Sequence, residues 1–414
     1  GDDPSSSNHY GIFLHNGAQV RTTGTGDLTL TGTGGNGSES HNYGVLLFNG
    51  AQVITTGTGH LRLTGTGGSG TSSNNGVFLN GLNTQVSTVN GDLTFTGTGG
   101  AGTSLFNQGI FLFNRAQVRT VDGNLILTGT GGSGTSLNDG VSLSNGAQVN
   151  STGTGGLTIA GQGGGSDSDN HGVFLSGLNT QVSTVDGDLS VTGQGNGSGS
   201  DNHGISITDS GRMESTGTGD LTLTGTSESG SAISLQNSTV QATVTGNVTL
   251  NGGTGDDTFN FNSSTVTGDV DGHAGNDTFI FQNGSTLTGR LNGGDGSDTL
   301  DFLNYGSAVS ITDRVDPLGS GNTDPRNVIS DGFTSIEEIF TLGGIQTRDD
   351  LFNSFVELPE EFLEAADQIR EGCQTKNPYA NTFIFKGRGG LPAEPDALIS
   401  VSNLTSAPTT SGAT

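Results

Sequence analysis

Seven glycines set the frame of this chain. Gly11, Gly44, Gly76, Gly109, Gly140, Gly172 and Gly204 each precede a short apolar run, at spacings of 33, 32, 33, 31, 32 and 32 residues. A period in this range marks a solenoid, a propeller or a stacked array. Within each unit three alternating segments recur, typified by "GVFL", "AQV" and "DLTLTG". Alternation of apolar and polar residues marks strands with one buried face.

The third segment shows this best. One column reads Leu28, Leu61, Leu93, Leu125, Leu157, Leu189, Leu221. Two residues further on, the next reads Leu30, Leu63, Phe95, Leu127, Ile159, Val191, Leu223. The positions between them drift, through Thr29, Arg62, Thr94 and Ile126. Three short strands per unit are too few for a propeller blade of four. They suit one turn of a parallel β-helix, in which each coil lies about 4.8 Å above the last and like residues stack on like. Parallel crossovers are right-handed almost without exception. The expected fold is therefore an all-β, right-handed parallel β-helix with three short strands per coil. Asn16, Asn49, Asn114 and Asn145 fall at one corner, with Asn83 and Asn179 close by in units one residue longer. They read as an asparagine ladder that satisfies turn amides from coil to coil.

After residue 231 the period shortens. Asp256, Asp277 and Asp298 are 21 residues apart, yet "TFNF", "STV" and "GDV" repeat the same three-segment plan. The missing 11 residues equal the Gly-Thr-Gly-Gly stretch of the longer units. That stretch contains "GTGGSG" (Gly65–Gly70), which fits the G-x-G-x-x-G of a dinucleotide loop. It also recurs as "GTGGNG", "GTGGAG" and again "GTGGSG", with no helix pattern after any copy. A phosphate loop needs a strand before it and a helix after it. The stretch is better read as a side excursion from a 21-residue coil, glycine-rich because stacked loops need close backbone approach and positive φ. The chain then divides into long coils (1–230), short coils (231–303), terminal coils and loops (304–356), and a C-terminal helix, strand and tail (357–414).

Composition narrows the function. The net charge is −27 and the two lysines, Lys376 and Lys386, lie beyond the repeats. Nucleic acid and anionic membranes call for basic stripes, which are missing. No apolar run is long enough to span a membrane. A single cysteine, Cys373, excludes an internal disulfide framework. The chain opens inside the repeat without a secretory leader, as a processed or cut-down fragment would. β-Helix polysaccharide lyases and hydrolases need carboxylates with Lys or Arg on adjacent coils. Here Arg21, Arg62 and Arg119 lie on different strands or distant coils, so no enzyme is expected and polysaccharide degradation ranks last among the readings.

"GGTGDDTFN" (Gly252–Asn260) and "GGDGSDTLD" (Gly293–Asp301) match G-G-x-G-x-D-x-U-x in full, and "GHAGNDTFI" (Gly272–Ile280) departs at His273. This stretch resembles the RTX calcium repeat, although RTX copies follow every nine residues rather than every 21. The resemblance implies Ca²⁺ held by hard oxygen ligands, with Asp256, Asp257, Asp277, Asp295 and Asp298 as the candidates. On the first strand Phe13, Leu46, Phe78, Phe111 and Phe174 should point outward, interrupted by Ser142 and Ser206. Such a row is either a partner surface or is covered by the side excursions or the C-terminal segment. "DNHG" at Asp169–Gly172 and Asp201–Gly204 should bring His171 and His203 over one another as solvated loop residues.

Past Asp301 the pattern loosens. "ITDRVDPLGSGNTDPRN" reads as a loop and "GFTSIEEIFTLGG" as the last strands. "LPEEFLEAADQIREGC" reads as a helix opened by Pro359, Glu360 and Glu361 and closed by Gly372; Phe362, Ala366 and Ile369 share the face that would cap the solenoid. The segment from Cys373 to Leu398, with "NTFIF" and "GRGGLP-x-x-P", is similar to the C-terminal signature of cyanobacterial filamentous-haemagglutinin-type exoproteins of the two-partner secretion class. That resemblance implies export across an outer membrane and a surface adhesin or extracellular fibre with no catalytic residues. The expected partner is a second copy of the chain, joined head to tail through the first coil (Gly11, Ile12 and Leu14 among its residues), with extracellular polysaccharide or a cell surface beyond it. A monomeric, calcium-dependent surface adhesin is the alternative.

Overall fold

The computed structural model describes residues 7–341, apart from 228, 243–247, 254–255, 307–309, 317–319, 325–327, 330–332, 335 and 337, together with Thr382–Ile384 and Leu398–Ser400. Each coil contributes one strand to each of three sheets. The first sheet has 12 strands, from Ile12–His15 to Glu338–Thr341; the second has 10, from Gln19–Thr22 to Thr286–Thr288; the third has 13 and starts at Leu28–Thr33. All neighbours are parallel until the last strands of the third sheet. This is the right-handed parallel β-helix that the repeat predicts.

The register is that of the apolar columns. Leu61, Leu93, Leu125, Leu157, Leu189 and Leu221 pair in sequence, and each is at most 1% exposed. Stacking like on like lets every coil fill the same cross-section, so the core is continuous along the axis. The three sheets pass residue 230 without a break, so long and short coils form one solenoid. Beyond that point phenylalanines take over the inner first-sheet positions. Phe259 stacks on Phe279 at 5.0 Å and Phe261 on Phe281 at 4.8 Å between ring centres.

The Gly-rich stretches are side excursions between the third strand of one coil and the first strand of the next. Their glycines serve mainly close approach rather than positive φ. A Cβ on Gly65 would lie 2.1 Å from the Gly76 carbonyl oxygen, and one on Gly76 2.4 Å from the Thr66 amide nitrogen. Neither residue has positive φ, which appears deeper in the loops, as at Gly134 and Gly165. The two ends of each excursion thus cross backbone on backbone, leaving no room for a side chain.

One expectation for the C-terminal region changes. The segment read as a loop forms an antiparallel pair, Ser310–Asp316 with Ser320–Asp324, and Gly321 pairs with Phe333 at the end of the third sheet. Antiparallel pairing there ends the parallel edge, the task expected of the helix. The helix itself (359–372) and Cys373 lie outside the described residues. Part of "NTFIF" is a strand as expected, Thr382–Ile384, antiparallel to Leu398–Ser400.

Candidate functional site

The predicted asparagine ladder is present on the surface. Asn16, Asn49, Asn114 and Asn145 all take positive φ. Asn49 Nδ2 donates to Asn16 Oδ1 at 2.9 Å, and Asn145 Nδ2 to Asn114 Oδ1. A second ladder, which the sequence reading missed, is buried at the root of the excursions. Asn42, Asn74, Asn107, Asn138, Asn170 and Asn202 are each fully buried. From Asn74 onward the side-chain oxygen accepts the backbone N–H of its counterpart one coil earlier, at 2.8–3.2 Å, and Asn42 Oδ1 accepts that of His9 at 3.3 Å. The signal was available, since every one of these asparagines stands two residues before a repeat glycine.

In the short coils aspartate performs the same task. Asp257 N–H donates to Asp277 Oδ1 and Asp277 N–H to Asp298 Oδ1, each at 2.8 Å. All three side chains are buried. The second oxygens of Asp257 and Asp277 accept no hydrogen bond. A Cβ built on Gly272 would touch both Asp277 Oδ2, at 2.1 Å, and the Gly293 carbonyl oxygen, at 2.3 Å. The first glycine of the repeat therefore leaves a small space that a carboxylate oxygen and a carbonyl oxygen from successive coils both face. Burial pushes the Asp257 carboxyl up to about 7, with Asp277 and Asp256 adding repulsion; burial likewise raises Asp277.

Of the five proposed calcium ligands, the structure gathers Asp257, Asp277 and Asp298 in this inward column. Asp256 and Asp295 are exposed. The 21-residue spacing that linked Asp256 to Asp277 is off by one, because Thr258 pairs with Thr278 and that coil has 20 residues. Asp256 instead heads an outer column, accepting the Asn276 N–H at 2.7 Å, while Asn276 accepts that of Ser297 at 2.9 Å. Among the described residues no three His, Cys, Asp or Glu side chains converge as a metal cage. The inward oxygens are hard donors suited to Ca²⁺, but they are strung along the axis rather than gathered round a point.

The outward row is only partly open. Phe13 is 42% exposed, whereas Leu46 and Phe78 are buried, and Phe111 and Phe174 are half-buried. Tyr43, which sits in the excursion just before the strand, packs edge-on against Phe78 at 5.2 Å, and Phe78 stacks on Phe111 at 4.9 Å. The covering by excursion residues wins here, and Leu46 and Phe78 are not surface contacts. Gly11 is exposed, while Ile12 and Leu14 face inward and remain half-buried in the first coil.

His171 and His203 do stack, with centres 5.2 Å apart and planes within 4°. They are not solvated: His171 is 5% exposed. Each Nδ1 accepts an amide from the following coil, from His203 at 3.2 Å and from Ser231 at 2.8 Å. An acceptor Nδ1 places the proton of the neutral ring on Nε2. Burial lowers both groups, His171 to about 3. They continue a column that starts at Asn75 and Gln108 and includes the buried carboxyl of Asp139, which burial raises to about 7.

These features define a class, a parallel β-solenoid whose corners are closed by side-chain ladders. Comparison with protein-family models, with curated protein sequences and with solved structures returns no match. Among the described residues no helix is long and apolar enough to cross a membrane.

Proposed function

We propose that the chain is a non-enzymatic, secreted structural protein, the subunit of an extracellular fibre or filament that assembles head to tail through its solenoid ends and C-terminal segment. One observation carries this reading. The register is unbroken along the rod, yet Ile12, Leu14, Val20, Leu28 and Leu30 of the first coil are only half covered. Another coil, from more of the same chain or from a second copy, would bury them and pair the free strand edges. The resemblance of the Cys373–Leu398 segment to filamentous-haemagglutinin-type exoproteins supports export and a place at the cell surface, in contact with other surfaces or with extracellular polysaccharide. Sedimentation and electron microscopy of the full chain test the assembly. Rods longer than one chain, giving an axial reflection near ~4.8 Å, are the expected result. A monodisperse monomer at high concentration rejects it.

A second reading, a calcium-dependent surface adhesin acting as a monomer, draws on the buried oxygens of Asp257 and Asp277. Calcium there would screen carboxylates that otherwise favour protonation. Without divalent cations the sign follows from the raised folded-state pKa values. The two carboxyls contribute stability in full below the unfolded value of about 3.9, and this is lost as pH rises through their raised folded-state values, about 7 for Asp257. In EDTA, hydrogen exchange across residues 257–300 should therefore quicken between pH 4 and pH 8. Asp277→Asn should flatten that dependence and slow exchange at pH 8, by about 1 kcal/mol, because an amide supplies a donor at the orphaned position. If calcium is the native partner, it will slow exchange in the parent chain and have less effect on the variant.

A further inference from the structure

The excursions flank the outer face of the first sheet, and they shorten sharply once the 32-residue period ends. Gly193 and Gly204 bracket the last full excursion, whereas Gly225 and Ala232 bracket a stub. At this step a cleft of about 440 Å³ opens, within the range of small-molecule sites, roughly 300–1,000 Å³. Asp201, His203 and Ser231 stand on the excursion side, and the outward residues Gln236, Asn260 and Asn262 form the floor.

The lining selects its ligand by exclusion and by fit. Among the described residues lining the cleft there is no Lys or Arg, and the chain carries −27, so an anionic ligand finds no counter-charge there. Among those residues Asp201 is the single carboxylate, too few to cage a cation. An apolar ligand would strand amides and hydroxyls without partners. What remains is a ligand that offers many neutral donors and acceptors and one flat apolar face. The imidazole ladder provides for that face. His203 rests on His171, and the next member of its column is the small Ser231. The stack therefore ends at the cleft with no further ring after His203, whose side chain keeps 13% exposure there. Asp201 Oδ1 lies 3.9 Å from His203 Nε2 and is largely exposed, placing a strong acceptor beside the ring.

We propose that this cleft is a saccharide-binding site that takes a short, uncharged oligosaccharide, with a pyranose C–H face against His203 and its hydroxyls on Asp201, Gln236, Asn260 and Asn262. The proposal deepens the surface-contact part of the functional reading and is separable from assembly, because rods can form without sugar and sugar can bind to single chains. The test applies the full chain to an array of neutral, uronate-containing and sulfated oligosaccharides, followed by calorimetric titration with the best-retained soluble one. Retention of neutral glycans is expected, with binding at least ~10-fold weaker (about 1.4 kcal/mol) in both Asn260→Ala and Gln236→Ala. Gln236 is exposed, so its variant keeps the fold even if Asn260→Ala does not. Thr29→Ala, on the third sheet, should bind as the parent does. Failure to retain any neutral glycan, retention of charged glycans alone, or undiminished affinity in a folded Gln236→Ala protein would each overturn the assignment, whatever sedimentation says about rods.

Discussion

Replacing Gly97 by alanine is expected to destabilise its coil by about 4 kcal/mol, the range reserved for severe backbone strain. A Cβ there would stand 2.1 Å from the Gly109 carbonyl oxygen and 2.6 Å from the Ile110 side chain. The obstacle is backbone, which no rotamer change can clear. Relief requires the third strand to slide away from the start of the next first strand, and both are in register with coils above and below. Gly97 has no positive φ, so the effect is pure exclusion rather than lost conformational freedom. Gly24 is the matched control, with no atom within 4 Å of its Cβ position and no positive φ; Gly24→Ala should shift stability by less than ~0.5 kcal/mol. Hydrogen exchange should show the Gly97→Ala damage centred on residues 93–113 and fading within a coil or two, since solenoid stability is carried between nearest neighbours. Equal effects from the two substitutions would mean that the excursion necks are far looser than drawn.

Much of this architecture is legible in the residues because a solenoid writes its contacts at a fixed period. The Leu28 and Leu30 columns are buried or half-buried in register, and the excursions account for the extra 11 residues. What escaped has a common physical cause. Apolar columns announce burial through alternation, whereas Asn42, Asn74 and their successors look like ordinary turn residues. Only the enclosed geometry reveals that their amides are sealed from water and bonded coil to coil. The aspartate column is legible in the motif starts Gly252, Gly272 and Gly293, which place Asp257, Asp277 and Asp298 in one row; only the count of 21 residues from Asp256 misses the coil shortened by one, where Thr258 lies opposite Thr278. The outward row misled because Tyr43 reaches over Phe78, and no periodicity in the strand itself predicts what a loop will cover.

Asn107→Ala should cost about 3 kcal/mol, and its consequences reach the acid ladder. The Asn107 side chain accepts the Asn74 backbone N–H at 3.1 Å and its amide at 2.9 Å. It donates to the Ser133 carbonyl at 3.0 Å and to Asn138 Oδ1 at 2.9 Å. Truncation leaves several of these groups buried and unpaired, each at about 1–3 kcal/mol before water or relaxation recovers part. Asn107→Asp separates the two halves of the role. It keeps the acceptor for the Asn74 N–H but removes both donations, setting a second oxygen against Ser133 and Asn138. Its stability should then fall as pH rises from 4 to 8, as expected for the column through Asp257 and Asp277, while the parent ladder at this coil carries no titrating group. Melting curves at pH 4 and pH 8 decide this. A pH-independent Asn107→Asp protein would show that water enters the ladder freely. A variant that weakens with pH would show that one atom, nitrogen or oxygen, makes the difference between a permanently closed corner and one that depends on a proton or a cation.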